Sequence, residues 1–362
     1  MKLIVFLLCS LFFYPTLAQE NYLLVGTYDS PKSEGIYVYK FNSSDGSAKE
    51  ISHVKTSNPS FLAVSPDEKY VYAVNEMADS TGKGGRVSSF SFDQKTGTIS
   101  FISQRSSMGN NPCYIETNED GSRVMVVNYS TGNFAMYVSK NGKLDTAGLV
   151  IQQKGSGPDT IRQKSSHLHG IYRRKNSIMV TDLGADEIHA SFTAWHDKKL
   201  IYKTKPGAGP RHLAFHKSRK IFYALNELNS TIEVFKNRNI SFQTISSLPP
   251  DHKGPVGGSA DIHVSQDGRF LYVSNRGQSN TIGIYSINQK TGILTVVDHV
   301  SCAGERPRNF NFDPTGNFLL VGNQMSDEIA IFKVDKQTGM LTDTDKRISV
   351  GRPVCIKWIG MN

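Results

Sequence analysis

Asn58-Pro59-Ser60-Phe61-Leu62-Ala63-Val64-Ser65-Pro66-Asp67, continued by Tyr70-Val71-Tyr72-Ala73-Val74-Asn75, decides the fold. An alternating apolar run enters a turn carrying Pro and Asp, and a second alternating run ends on Asn, which describes two strands joined by a tight connection. The unit returns as Ser259-Ala260-Asp261-Ile262-His263-Val264-Ser265-Gln266-Asp267-Gly268 followed by Phe270 to Asn275. It returns again as Arg306-Pro307-Arg308-Asn309-Phe310-Asn311-Phe312-Asp313-Pro314-Thr315-Gly316 followed by Phe318 to Asn323. A third strand comes next, as in Thr281 to Ile287 or Glu328 to Val334. Hairpins at Lys95-Thr96-Gly97, Lys290-Thr291-Gly292 and Gln337-Thr338-Gly339 then lead into a short fourth.

The spacing extends the pattern along the chain. Pro59 to Asn75 is 16 positions, as are Pro112 to Asn128, Pro210 to Asn226, Ser259 to Asn275 and Pro307 to Asn323. Leu168 to Asp182 is 14, through a shortened turn at Arg173-Arg174-Lys175-Asn176. Anchors at 59, 112, 168, 210, 259, 307 and 353 lie 42 to 56 residues apart. The ends are complementary: Tyr22 to Val25, Gly35 to Phe41 and Glu50 to Val54 lack a first strand, and Pro353 to Ile359 is a first strand alone. Six full units and two matching halves describe an all-β, seven-bladed β-propeller with four-stranded antiparallel blades, its ring closed by pairing of the N- and C-terminal strands. An open solenoid would not need complementary ends.

Composition agrees. The 362 residues are 38 % hydrophobic and 20 % charged, enough for a packed core. Tyr and Phe total 34 against 2 Trp, with 31 Gly for tight turns, a balance that favours strands. The net charge of +9 is spread singly, as at Lys143, Arg173, Lys220 and Arg269. A nucleic-acid partner would concentrate it, so none is expected, whereas small anions suit it. Met1-Lys2, the apolar run Leu3 to Tyr14 and the small residues Thr16-Leu17-Ala18 have the layout of a secretory signal peptide over residues 1–18. That run is too short to span a bilayer. The expectation is a leader cleaved near Ala18 and an exported protein, periplasmic or extracellular, with one monomeric propeller domain over 19–362. Cys9 belongs to the leader. Cys113, Cys302 and Cys355 are too far apart and too few for a disulfide framework or a zinc site, so buried thiols are expected.

In a propeller the inner strands line a central channel, and residues at equivalent positions converge on its mouth. One such column runs Ser60, Cys113, His169, Arg211, Ala260, Arg308 and Val354. A second follows the recurring Asn/Asp at the strand end: Glu76, Tyr129, Leu183, Glu227, Arg276 and Gln324. A structural column would repeat one residue type, as Asn75, Asn128, Asp182, Asn226, Asn275 and Asn323 do; these should end strands through side-chain-to-backbone bonds. The two mixed columns instead scatter His, Arg and Glu. Read structurally, Arg211, Arg276 and Arg308 would form inter-blade ion pairs with Glu76 or Glu227, and His169 would be a hydrogen-bonded core histidine. Read chemically, Arg211 and Arg276 grip an oxyanion or an acidic group, and His169 or Glu227 moves a proton. The expectation is that His167 and His169 face opposite ways along their strand, and no carboxylates converge. No metal and no cofactor is expected. The absence of Gly-x-Ser-x-Gly argues against a serine acyl-enzyme.

The units Pro59 to Glu76, Ser166 to Gly184, Gly209 to Glu227, Gly257 to Arg276 and Gly304 to Asn323 resemble the seven-bladed lactonase propellers. That family includes the bacterial propeller-type 6-phosphogluconolactonase and the fungal carboxy-cis,cis-muconate lactonising enzyme. The likeness runs from about Asn21 to the C-terminus and is most specific at His167-Leu168-His169, Asp182-Leu183-Gly184, Gly209-Pro210-Arg211-His212, Asn226-Glu227, Asn275-Arg276-Gly277 and Pro307-Arg308-Asn309. It implies a catalytic set of His169, Arg211, Glu227 and Arg276. Glu76, Arg308 and His167 are expected to contact substrate. Leu168 stands where the family often has Pro, and an exported N-terminus departs from the cytoplasmic phosphogluconate enzyme. The implied activity is a carboxylic-ester hydrolase, 6-phosphogluconolactonase-like, acting on an acidic or sugar-derived lactone. Two other classes stay open. One is a non-catalytic propeller binding a glycan or protein, since Tyr272-Val273-Ser274-Asn275 resembles the repeats of surface-layer propellers. The other is a cyclase or lyase acting on muconate-type acids.

Overall fold

Each repeat closes into a four-stranded antiparallel sheet. The computed structural model describes residues 20–361 apart from 175–176, 192–199, 219 and 237–238, and the expected leader lies outside the described residues. Among the described residues, strands assemble into seven such sheets. Six are sequential in the chain. The first is composite: Pro353–Gly360 is the inner strand, hydrogen-bonded to Glu20–Thr27, with Gly35–Asn42 and Ser47–Lys55 outside it. Its register runs from Asn21 opposite Gly360 to Thr27 opposite Pro353. The ring therefore closes as the complementary half-units require.

A single blade would leave both faces wet, and stacking round the ring buries them. Tyr72, Tyr137, Tyr223, Tyr272 and Tyr285 are among the largest fully buried side chains. A buried phenol needs a partner. Tyr72 Oη meets Ser139 Oγ at 2.7 Å, Tyr223 donates to Gly292 O at 3.1 Å and Tyr272 to Gly339 O at 2.6 Å. Each bond reaches the outer hairpin region of the next blade, so the same tyrosines that fill the core also pin neighbouring blades. Cys113, Cys302 and Cys355 are free and buried.

The repeated Asn/Asp column is structural, as its uniformity implies. Asn75, Asn128, Asn275 and Asn323 donate from Nδ2 to the carbonyls of Ser57, Ser107, Ser247 and Cys302 at 2.6, 2.8, 2.7 and 2.9 Å. Asp182 instead accepts from the amides of His167 and Gly184. Asn226 departs from the expectation, donating to Thr231 Oγ1 and to the carboxylate of Glu233. The reason is local: Glu233, fully buried, accepts the Lys205 amide at 2.9 Å and so supplies the link to the incoming loop.

One irregularity recurs where it matters. The ladder between first and second strands skips at Pro112/Tyr114, Leu168/Gly170, Pro210/His212, Ser259/Ile262 and Pro307/Asn309. In the composite blade it skips between Gly26 and Thr27, opposite Cys355 and Pro353. The residues left out of register are Cys113, His169, Arg211, Ala260 with Asp261, Arg308 and Val354. These β-bulges coincide with the first mixed column. A bulge re-aims a side chain without ending the strand, which is how an inner strand turns single residues towards the axis.

Candidate active site

Five members of the first mixed column, Ser60 and the bulge residues Cys113, Arg211, Arg308 and Val354, line one cavity. The second column is tied to the same mouth by backbone bonds. The amides of Glu76, Tyr129, Leu183, Glu227, Arg276 and Gln324 donate to the carbonyls of Asn58, Asn111, His167, Gly209, Gly258 and Arg306 respectively. Each acceptor lies just before a first strand, so the residue after each Asn or Asp is held beside the bulge residue of its own blade.

Glu227 is the hub. Its Oε2 is 2.9 Å from Arg211 Nε and 3.2 Å from Arg276 NH2, and its Oε1 is 2.8 Å from Arg162 NH2. Burial alone would raise its pKa, yet Arg276, Arg211 and Arg162 outweigh that and hold it well below the usual carboxylate range. Burial, reinforced by Arg211 and Arg308 and opposed by Glu227, lowers the Arg276 guanidinium to about 10, so it stays charged at neutral pH. Arg211 is locked on every side: NH1 donates to Ala260 O and lies 3.1 Å from His212 Nε2. His212 Nδ1 is in turn 2.7 Å from Asp261 Oδ1. Asp261, with both oxygens engaged by His212, His263 and Asn309, orients the imidazole that backs the arginine.

A second, looser pair faces the first. Arg308 NH2 is 3.9 Å from Glu76 Oε2, and Tyr28 donates to the same oxygen at 2.6 Å while its ring lies 5.1 Å beneath the guanidinium carbon of Arg308. Summed over the mouth, Arg162, Arg211, Arg276 and Arg308 exceed Glu76 and Glu227 by two charges. The mouth therefore carries a net positive charge, which attracts anions.

His169 is buried, and burial first, then Arg211 and His212, push its protonation well below the ordinary histidine range. Its Nδ1 has no hydrogen-bond partner among the described residues. His167 and His169 were expected on opposite strand faces, and here the structure differs. His167 precedes the strand Leu168–Arg174 and the ladder shifts at His169. Residues two apart in an extended segment share a face rather than oppose, and both rings rest on Tyr129, His167 stacked at 4.5 Å and His169 edge-on at 5.6 Å. Among the described residues, no three His, Cys, Asp or Glu side chains gather as a metal site would require.

The site residues read from sequence thus meet at one mouth: Glu227 joins Arg211 and Arg276, Glu76 joins Arg308, and Tyr129 joins His167 to His169. Arg162, Tyr28, His212 and Asp261 escaped the column reading. Arg162 lies within the longest step between anchors, Pro112 to Leu168, on the connection that enters Leu168, and an insertion in one repeat commonly builds the binding face. Tyr28 sits outside the periodic strand pattern and left no comparable signal.

The description "Lactonase, 7-bladed beta-propeller" fits residues 22–358 of this chain. The chain belongs to the seven-bladed β-propeller lactonase family. Within this lactonase family it is 35 % identical to the 6-phosphogluconolactonase of Formosa agariphila, over 91 % of this chain and 96 % of that one. It is 33 % identical to the 6-phosphogluconolactonase of Bacillus subtilis, over 92 % of this chain and 97 % of the other. The solved periplasmic gluconolactonase of Pseudomonas aeruginosa superimposes with a TM-score of 0.88 at 34 % identity, over 95 % of this chain and all of that one. Among the described residues of this lactonase propeller, no helix is long and apolar enough to cross a membrane.

Proposed function

We propose that this lactonase opens an acidic or sugar-derived lactone, as a 6-phosphogluconolactonase does, by metal-free general acid–base hydrolysis. What supports the reading most is the convergence of His169, Arg211, Glu227 and Arg276 at one mouth of the channel. Water attacks the lactone carbonyl carbon, His169 takes the proton, and the carbonyl oxygen becomes an oxyanion held by Arg211 and Arg276. Collapse breaks the ring C–O bond, and the protonated His169 returns its proton to the departing alkoxide. The product is the open-chain hydroxy acid.

Two carboxylate oxygens shared among three guanidiniums make Glu227 a poor proton acceptor. Its role is to keep the arginines together and oriented. His169, neutral at physiological pH, has the free lone pair that the step needs. Glu76, Arg308 and His167 line the approach and contact the substrate's remaining polar groups. A panel of 6-phosphogluconolactone, unphosphorylated sugar lactones and muconolactones tests the reading. Hydrolysis of at least one sugar lactone, unchanged by chelator, is expected. Loss of rate with chelator would overturn the metal-free step. Isomerisation of a muconolactone without net hydrolysis would favour the cyclase class, and silence across the panel a binding propeller.

Export belongs to the same proposal. The leader-like N-terminus supports it, and the Pseudomonas aeruginosa neighbour is described as periplasmic. Intact-mass measurement on protein from the native host should give a chain starting near Gln19 in the extracytoplasmic fraction. A cytoplasmic protein retaining Met1 to Ala18 would contradict it. Outside the cytoplasm, an unphosphorylated sugar lactone becomes the more accessible substrate.

A further inference from the structure

We infer that Arg162, together with the Tyr129 hydroxyl, forms an outer subsite for an anionic substituent of the lactone, a phosphate or carboxylate remote from the reacting carbonyl. The inference rests on the lactonase reading and makes Arg162 a specificity-determining residue.

The argument begins with an excess of cations on one carboxylate. Glu227 has two oxygens and three guanidinium partners, and those partners are not equivalent. The side chains of Arg211 and Arg276 are 3 % and 15 % exposed, and Arg162's is 43 % exposed. Arg211 is fixed by Ala260 O and His212, and Arg276 by its Nε bond to Gly258 O. For Arg162 the side-chain bonds run to Glu227 Oε1 and Tyr129 Oη, at 2.8 and 3.0 Å. An ion pair at that exposure is weak. Arg162 can therefore exchange one anion for another while Glu227 keeps two buried cations.

The backbone holds Arg162 in place for this. Between the strands Lys143–Gln152 and Leu168–Arg174, the connection is pinned by Gln163, fully buried, which donates to Leu183 O and Asp186 Oδ1 at 2.9 and 2.8 Å. Asp159 Oδ1 accepts from the amides of Ile161 and Arg162, both at 2.9 Å. A firm loop thus extends one flexible cationic side chain over the mouth. The aromatic ring of Tyr129 then links the two ends of the site, its hydroxyl on Arg162 and its ring against His169. A guanidinium fork beside a phenol suits the oxygens of phosphate or carboxylate.

Arg162→Gln and Arg162→Lys test this against 6-phosphogluconolactone, glucaro-1,4-lactone, which keeps a free carboxylate, and uncharged glucono-1,5-lactone. For Arg162→Gln, KM for a charged lactone should rise about ten- to a hundredfold, the scale of one charge-assisted pair, with kcat within about threefold. KM for the uncharged lactone should hold, and Arg162→Lys should recover part of the loss. The charged lactone that loses more identifies the group recognised. Equal losses on charged and uncharged lactones, or none, would overturn the subsite. Calorimetric binding of 6-phosphogluconate, glucarate and gluconate separates this from the lactonase reading. A wild-type preference for a doubly anionic acid that vanishes in Arg162→Gln supports the subsite even if every lactone is left intact. No such preference in the wild type overturns it whatever the turnover. Unchanged melting of both variants excludes a fold defect.

Discussion

Ending the chain before Pro353 is expected to abolish the cooperative fold. The strand Pro353–Gly360 is the inner strand of its blade, and Val354, Cys355, Ile356 and Ile359 on it are all 2 % exposed or less. Losing the burial of four such side chains forfeits about 1.5–3 kcal/mol each, comparable with the whole stability of an ordinary domain, about 5–15 kcal/mol. The loss reaches both neighbouring blades: the Ile356 amide donates to Asn309 Oδ1 at 2.7 Å, and Cys355 Sγ accepts the Leu62 amide at 3.3 Å. It also bares the edge of Glu20–Thr27, a template for intermolecular pairing. Circular dichroism and size-exclusion chromatography should show lost cooperative melting and aggregation. A monodisperse truncated protein melting within a few degrees of the full chain would show that closure is dispensable.

His169→Ala and Glu227→Gln should each lower turnover by roughly a hundredfold or more, but for different reasons that other measurements separate. His169→Ala removes the proton acceptor from a site whose arginines keep their carboxylate, so melting should change little. Glu227→Gln leaves Arg162, Arg211 and Arg276 facing one another without an anion, and both stability and turnover should fall. The pH dependence follows from the depressed protonation of His169. The neutral imidazole is the active form, so kcat/KM should stay flat from neutrality down through the ordinary histidine range and fall only at lower pH. A wild-type acid limb centred on an ordinary histidine value would exclude His169 as the acceptor. Full activity in His169→Ala would do so outright.

The fold was legible because periodicity survives in a chain whose repeats share little identity. The constant step from Pro59 to Asn75, Pro112 to Asn128 and Pro307 to Asn323 reports a fixed geometry, and the complementary ends leave one way to close it. His169, Arg211, Glu227 and Arg276 were legible for the opposite reason, as departures from that repetition. Arg162 was not, because a loop inserted between blades has no equivalent position to compare. Nor was the support of Arg211 by His212 and Asp261, since a hydrogen-bond chain across two blades leaves no periodic trace. The facing of His167 and His169 was misread by a miscount: residues two apart share a strand face, so the regular pleat itself lets both rings reach Tyr129.

Those bulges also bear on how such a ring can change its chemistry. A residue left out of the ladder contributes no strand-pairing register, so its identity is nearly free of the sheet it sits in. Cysteine, histidine, arginine and valine occupy the same slot in successive blades without altering the blade. Inherited variation can therefore explore new reactions at six converging bulges while the surrounding architecture is kept intact. For an engineer the same slots form a ready-made set of substitution sites, in which Cys113, Ala260 and Val354 can be exchanged for working side chains before any of the original four is disturbed.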